Sequence, residues 1–167
     1  MRDLPVHAGT LAAAYLLKRH YSTASADDLR WVLEPTAWLT SRATGSPFPF
    51  EAGVGNVSTE LGFILAPECA GVNFLIIATC SLVFAFVHKR DSRVGKAAFV
   101  AATVAVAYLA TVAVNTIRIV ATLRFDPGEG LHRILGIVVY LGSLLLLHAL
   151  FRRALESRCS ARLSSGT

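Results

Sequence analysis

Apolar positions in this chain come in long blocks, not in the alternation of a strand or the stripe of a surface helix. Residues 70–87 form one block, extended upstream by 61–67. Residues 97–123 form a second, interrupted only by Asn115 and Arg118, and 131–151 a third that opens with His132 and Arg133. Each reaches the roughly 20 residues that a membrane helix needs. Residues 4–17 make a shorter block of about 14, which crosses only if Lys18 and Arg19 snorkel to the interface. A single Arg offset by Asp3, with no clear cleavage motif after it, fits a signal peptide poorly. An uncleaved first span over 4–20 is therefore expected. In 29–40, Trp31 and Trp38 lie seven apart on one helical face, with Pro35 between them. That pattern predicts an interfacial or re-entrant helix. From 45 to 66 the helical pattern stops at Gly45, Pro47, Pro49, Gly53, Gly55 and Gly62. Phe48, Phe50, Val54 and Val57 suggest extended pieces, with Gly55-Asn56 near a turn, so a small hairpin is expected. The expected fold is an all-α polytopic membrane protein, one domain over 1–167, with four to five transmembrane helices. Its spans are 4–20, 68–87, 97–120 and 132–151, with an extended or hairpin segment before the Cys-bearing helix.

Composition agrees. The chain is 54% hydrophobic and only 16% charged, against roughly 25% charged in a soluble domain. This excludes a disordered chain, a coiled coil and an ordinary soluble enzyme. The net charge of +5 would suggest nucleic acid in a soluble protein. Here the charges sit between apolar runs, so the bilayer is the expected partner and nucleic acid is not. Segments 88–96 and 151–167 each carry +3, and 18–68 carries −2. Positive loops stay inside. The 88–96 loop and the C-terminus are thus expected in the cytoplasm, with 18–68, including the extended segment, and 124–130 outside. The N-terminus is inside if the first run spans.

This topology brings three reactive side chains to one side. Cys69 begins its helix at the outer end. Arg118 lies 21 residues after Ala97, about 32 Å along a helix and so at the outer boundary. His132 opens the last helix, also outside. Cys80 is about 16 Å deeper than Cys69, and His148 about 24 Å from His132, so neither joins them. A thiol reacts as thiolate, which a neighbouring cation or a helix N-terminus favours. Pro67 suits a first helical position, which would place Cys69 in the first turn. His132 suits proton transfer, and Arg118 suits an oxyanion or a carboxylate. Asn115 is one turn before Arg118, and Asn73 is at i+4 from Cys69; both are supporting candidates. Cys69, His132 and Glu68 lack the helical spacing of a metal site, so neither metal nor cofactor is expected. The Asn56-Val57-Ser58 triplet matches a glycosylation pattern that is common by chance. Two other readings fit the same residues. One is a non-catalytic assembly subunit packing through small residues such as Ala101 and Ala105. The other is a transport subunit with Arg118 on an anion path.

Three segments carry a family resemblance: Glu68-Cys69-Ala70-Gly71-Val72-Asn73-Phe74-Leu75, Asn115-Thr116-Ile117-Arg118, and His132-Arg133-Ile134-Leu135-Gly136. In this order they resemble the three signatures of the exosortase/archaeosortase family, over about residues 35–150. Ala70 stands where many members have Ser, and four or five helices are fewer than the usual eight. The chain is similar to short subtypes such as exosortase K. The resemblance implies a cysteine protease/transpeptidase of the bacterial plasma membrane. It implies Cys69 as the nucleophile that forms a thioester, His132 as acid/base and Arg118 as stabiliser. The implied partners are exported proteins with a C-terminal sorting signal: a Pro-Glu-Pro-like motif, a membrane helix and a basic cluster.

Overall fold

A computed structural model describes residues 3–90, 92–125 and 129–164 and, within the last segment, the side chains of 134–157. The described residues form α1 (Leu4–Tyr21), α2 (Arg30–Thr44), α3 (Val72–Phe86), α4 (Arg93–Phe125) and α5 (Glu129–Ser164). Strands β1 (Phe50–Glu51), β2 (Gly55–Ser58) and β3 (Phe63–Leu65) lie between α2 and α3. Three stretches are long and apolar enough to cross a membrane: Pro67–Lys89, Arg93–Phe125 and Ile134–Ser157. The protein is a multi-pass, mostly helical membrane protein.

The other two helices are more polar, and neighbours hold them. α1 runs antiparallel to α3. Val6 packs on the cluster of Leu82, Val83 and Phe86, and Leu17 on that of Phe74 and Leu75. Its 18 residues reach about 27 Å, so α1 accompanies α3 over its length. α2 turns Val32, Leu33, Thr36, Ala37 and Thr40 inward and leaves Trp31 and Trp38 exposed. Pro35 has no N–H for the carbonyl of Trp31. Tyr108 of α4 supplies the missing donor, its hydroxyl 2.7 Å from that oxygen, and its ring stacks on Trp31.

The extended segment is a three-stranded antiparallel meander in the order β1-β2-β3. Phe50 pairs with Asn56, and Asn56 with Leu65. Gly55-Asn56 therefore opens the central strand, and the turns fall at 52–54 and 59–62. The glycine serves close approach, not the expected turn. At φ +123° a Cβ on Gly55 would stand 2.4 Å from the Leu65 carbonyl oxygen, where only glycine fits. Asn56 is buried and donates its amide to the Phe48 carbonyl, so the Asn56-Val57-Ser58 triplet is closed to modification in this fold. Phe48 and Leu65 pack with Ala37 of α2 and Ile119 of α4. The sheet and α2 thereby sheathe the far end of α4. At about 50 Å, α4 outreaches the bilayer core and needs that cover.

The start of α1 is pinned to α4 by an ion pair between Asp3 and Lys96. This hydrogen bond holds the Asp3 carboxyl below its ordinary pKa, against a smaller effect of burial. The folded protein therefore binds that proton less tightly than the unfolded chain does. The tie is intact above the ordinary carboxylate range and is lost as pH falls through the lowered value. Asp3→Asn should reproduce the loss at neutral pH. Hydrogen–deuterium exchange should then quicken at residues 4–8 and stay unchanged in α3.

Candidate active site

Cys69 sits where the chain stops being helical. Residues Pro67–Cys69 make a single 3-10 turn, closed by Cys69 N to Ala66 O and Ala70 N to Pro67 O. Gly71 then takes a left-handed conformation, φ +71°, and α3 starts at Val72. The first bonds of α3, from the N–H groups of Phe74 and Leu75, return to Gly71. Cys69 is thus one kink ahead of α3, not in its first turn as Pro67 had suggested. The cause is Gly71. A Cβ there would press within 3.2 Å of Asn115 Cγ and 3.3 Å of Thr111 Cγ2. Its bare backbone lets α4 approach.

That approach has a purpose in bonding. The kink leaves the Cys69 carbonyl without a partner from α3, and Asn115 Nδ2 donates to it. Asn115 is fully buried. Its own Oδ1 accepts from the Tyr140 hydroxyl of α5 at 3.0 Å. The Tyr140 ring in turn carries the Arg118 guanidinium, 5.4 Å from its centroid, a cation–π distance. From α1, the Tyr21 hydroxyl donates to Pro67 O at 3.3 Å. Three helices, α1, α4 and α5, therefore converge on the short turn that leads into α3. Arg118 is thus joined to the Cys69 turn through the Tyr140 ring and the Asn115 carboxamide. Arg118 Nε is buried and makes no hydrogen bond among the described residues.

The other candidates divide. His132 lies in the first turn of α5, and its side chain is outside the described residues. Gly136, one turn on, is where α5 faces Arg118: a Cβ at Gly136 would stand 3.7 Å from Arg118 Cδ. Asn73 is exposed and accepts from Lys18 Nζ at 2.8 Å. The i+4 relation that would have set it beside Cys69 does not survive the Gly71 kink. Cys80 lies mid-helix on α3, lining a cleft between α1 and α4. Tyr21 and Tyr140 were not singled out from the sequence. Nothing in an apolar block marks one tyrosine as a ligand of an asparagine on another helix.

The fold and this constellation define a multi-pass membrane protein with a thiol, a guanidinium and a carboxamide gathered at one end of its helices. The model of the transmembrane exosortase (Exosortase_EpsH) family matches residues 12–149, and the chain belongs to that family. No curated protein and no solved structure matches it.

Tyr140→Phe keeps the ring under Arg118 and removes only the bond to Asn115. It should cost about 1 kcal/mol, a typical net value for one hydrogen bond. Tyr140→Ala also removes the ring and should cost about 3–5 kcal/mol, as aromatic truncations do. Unfolding of the detergent-solubilised protein measures both, and equal losses would refute the division of roles.

Proposed function

We propose that this protein is a membrane-embedded cysteine peptidase or transpeptidase that cleaves C-terminal sorting signals, of a Pro-Glu-Pro-like type, from exported proteins. The observation that carries this reading is the chain of contacts that ties Arg118, through Tyr140 and Asn115, to the kinked turn bearing Cys69 in a chain of the exosortase family. The Cys69 thiol gives its proton to His132 as its sulfur attacks a backbone carbonyl of the substrate, forming a C–S bond. The carbonyl electrons move to oxygen, and the Arg118 guanidinium holds that charge. Collapse of the tetrahedral species breaks the C–N bond, and the leaving nitrogen takes a proton from His132. A water or an amine then attacks the thioester and gives its proton to His132, the C–S bond breaks, and His132 returns that proton to the departing sulfur. Water completes hydrolysis, and an amine completes transfer.

The reading also assigns sides. The basic 88–96 segment and the C-terminal tail face the cytoplasm of a bacterial plasma membrane. The Cys69 end of the helices then faces outward, where the sorting signal of an exported protein arrives.

Cells co-expressing a substrate with such a signal report the chemistry as a shift in substrate size. Cys69→Ala should abolish the shift, and Cys80→Ala should leave it intact. Arg118→Ala should lower the rate about 10²–10³-fold, the usual effect of removing an oxyanion donor. Full processing by Cys69→Ala would end the proposal.

A further inference from the structure

The cleft between α1 and α4 takes no part in the site around Cys69. Both helices pack on α3, and between them they leave a space of about 1240 Å³. Gly9 and Ala13 of α1 line one side, Ala97 and Ala101 of α4 the other, and Ile76 and Cys80 of α3 the floor. Thr10 also lines it, with its hydroxyl spent on the Val6 carbonyl at 2.8 Å. A Cβ at Gly9 would meet nothing within 4 Å. The charged lining is confined to one end: Arg93 and Lys96, both in the first turn of α4. Asp3 lies at that end and pairs with Lys96. Arg93 is exposed and makes no ion pair among the described residues, and among them no carboxylate lines the cleft.

Depth and charge select the occupant. Along α4 the lining runs from Arg93 to Val104, and along α1 from Pro5 to Leu17. These stretches rise about 16 Å and about 18 Å, roughly half of the 30 Å hydrocarbon core. The cleft is therefore about one leaflet deep, where a spanning helix would need the full thickness. Its apolar length and its cations at one end match an amphiphile with a single anionic head. Basic pockets between membrane helices bind lipid headgroups of this kind. The Arg93 fork suits two phosphate oxygens, and Lys96 keeps N–H donors beyond the one given to Asp3. A segment that ends in basic residues would meet like charge here. We propose that the cleft holds an anionic phospholipid, its phosphate against Arg93 and Lys96 and its acyl chains between α1 and α4. With the 88–96 segment in the cytoplasm, this lipid belongs to the inner leaflet. The inference does not depend on the peptidase reading.

Native mass spectrometry of the detergent-solubilised protein tests it, with dioleoyl phosphatidylglycerol and dioleoyl phosphatidylethanolamine added at equal concentration. A single phosphatidylglycerol per chain should be retained in preference to phosphatidylethanolamine as collision energy rises. Arg93→Gln should cut that preference about fivefold, the worth of one cation at an anionic lipid surface. Gly9→Phe fills the cleft without entering the core and should remove the retained lipid. Ala101→Phe should do the same from the opposite side. Circular dichroism checks that both filled variants keep the parent's helical content; if neither does, the Arg93→Gln result decides. Equal retention of the two lipids overturns the proposal, because lipid then only coats this face. So does an Arg93→Gln protein that keeps the full preference, or phosphatidylglycerol that stays on both filled variants while they remain folded. A dimer that Gly9→Phe splits, with no lipid retained on the parent, overturns it in favour of a second copy of the chain.

Discussion

The bond from the Asn115 carboxamide to the Cys69 carbonyl is the contact on which the rest of the site depends. At a bilayer boundary, backbone that leaves the helix must find partners from protein, because lipid supplies none. The Gly71 kink frees the Cys69 carbonyl, and Asn115 meets it. The carbonyl of Pro67 is met by Tyr21. A buried asparagine then needs a donor of its own, and Tyr140 provides it. The turn bearing the thiol is thus held from α1, α4 and α5. The ring that completes the chain also carries Arg118. One unsatisfied carbonyl thus recruits, step by step, Asn115, Tyr140 and Arg118.

Small residues make this arrangement possible. Gly71 admits α4, and Gly136 opens α5 toward Arg118. Gly55 lets β2 close on β3, which builds the cover over α2 and the far end of α4. The sheet is small, yet it sets Phe48 and Leu65 in the layer on which Cys69 packs. It therefore forms one wall of the thiol's surroundings. The same short segment serves packing on one face and exposure on the other.

Much of this was legible in the chain, for identifiable reasons. The three apolar blocks are long and nearly uncharged, so membrane helices follow directly. Asn115 and Arg118 stand out because a polar group in such a block is costly. Other features were opaque. Gly55-Asn56 looks like a turn, since nothing local shows that the carbonyl of Leu65 will lie against it. Residues 97–120 fell short of the real end of α4 because its continuation past the bilayer depends on α2 and the sheet. The relation of Asn73 to Cys69 assumed unbroken helix, which Gly71 interrupts. Tyr21 and Tyr140 acquire meaning only from partners on other helices.

The central claim is that Cys69 becomes acylated by substrate. The most direct measurement is peptide-level mass spectrometry of the protein purified under acid from cells co-expressing a substrate with a sorting signal. The account predicts a substrate-derived acyl adduct on the peptide containing Cys69, released by hydroxylamine as a thioester is. A substrate that is shortened in cells while its acyl fragment is found on Cys80, or on no cysteine in samples quenched throughout turnover, would contradict it.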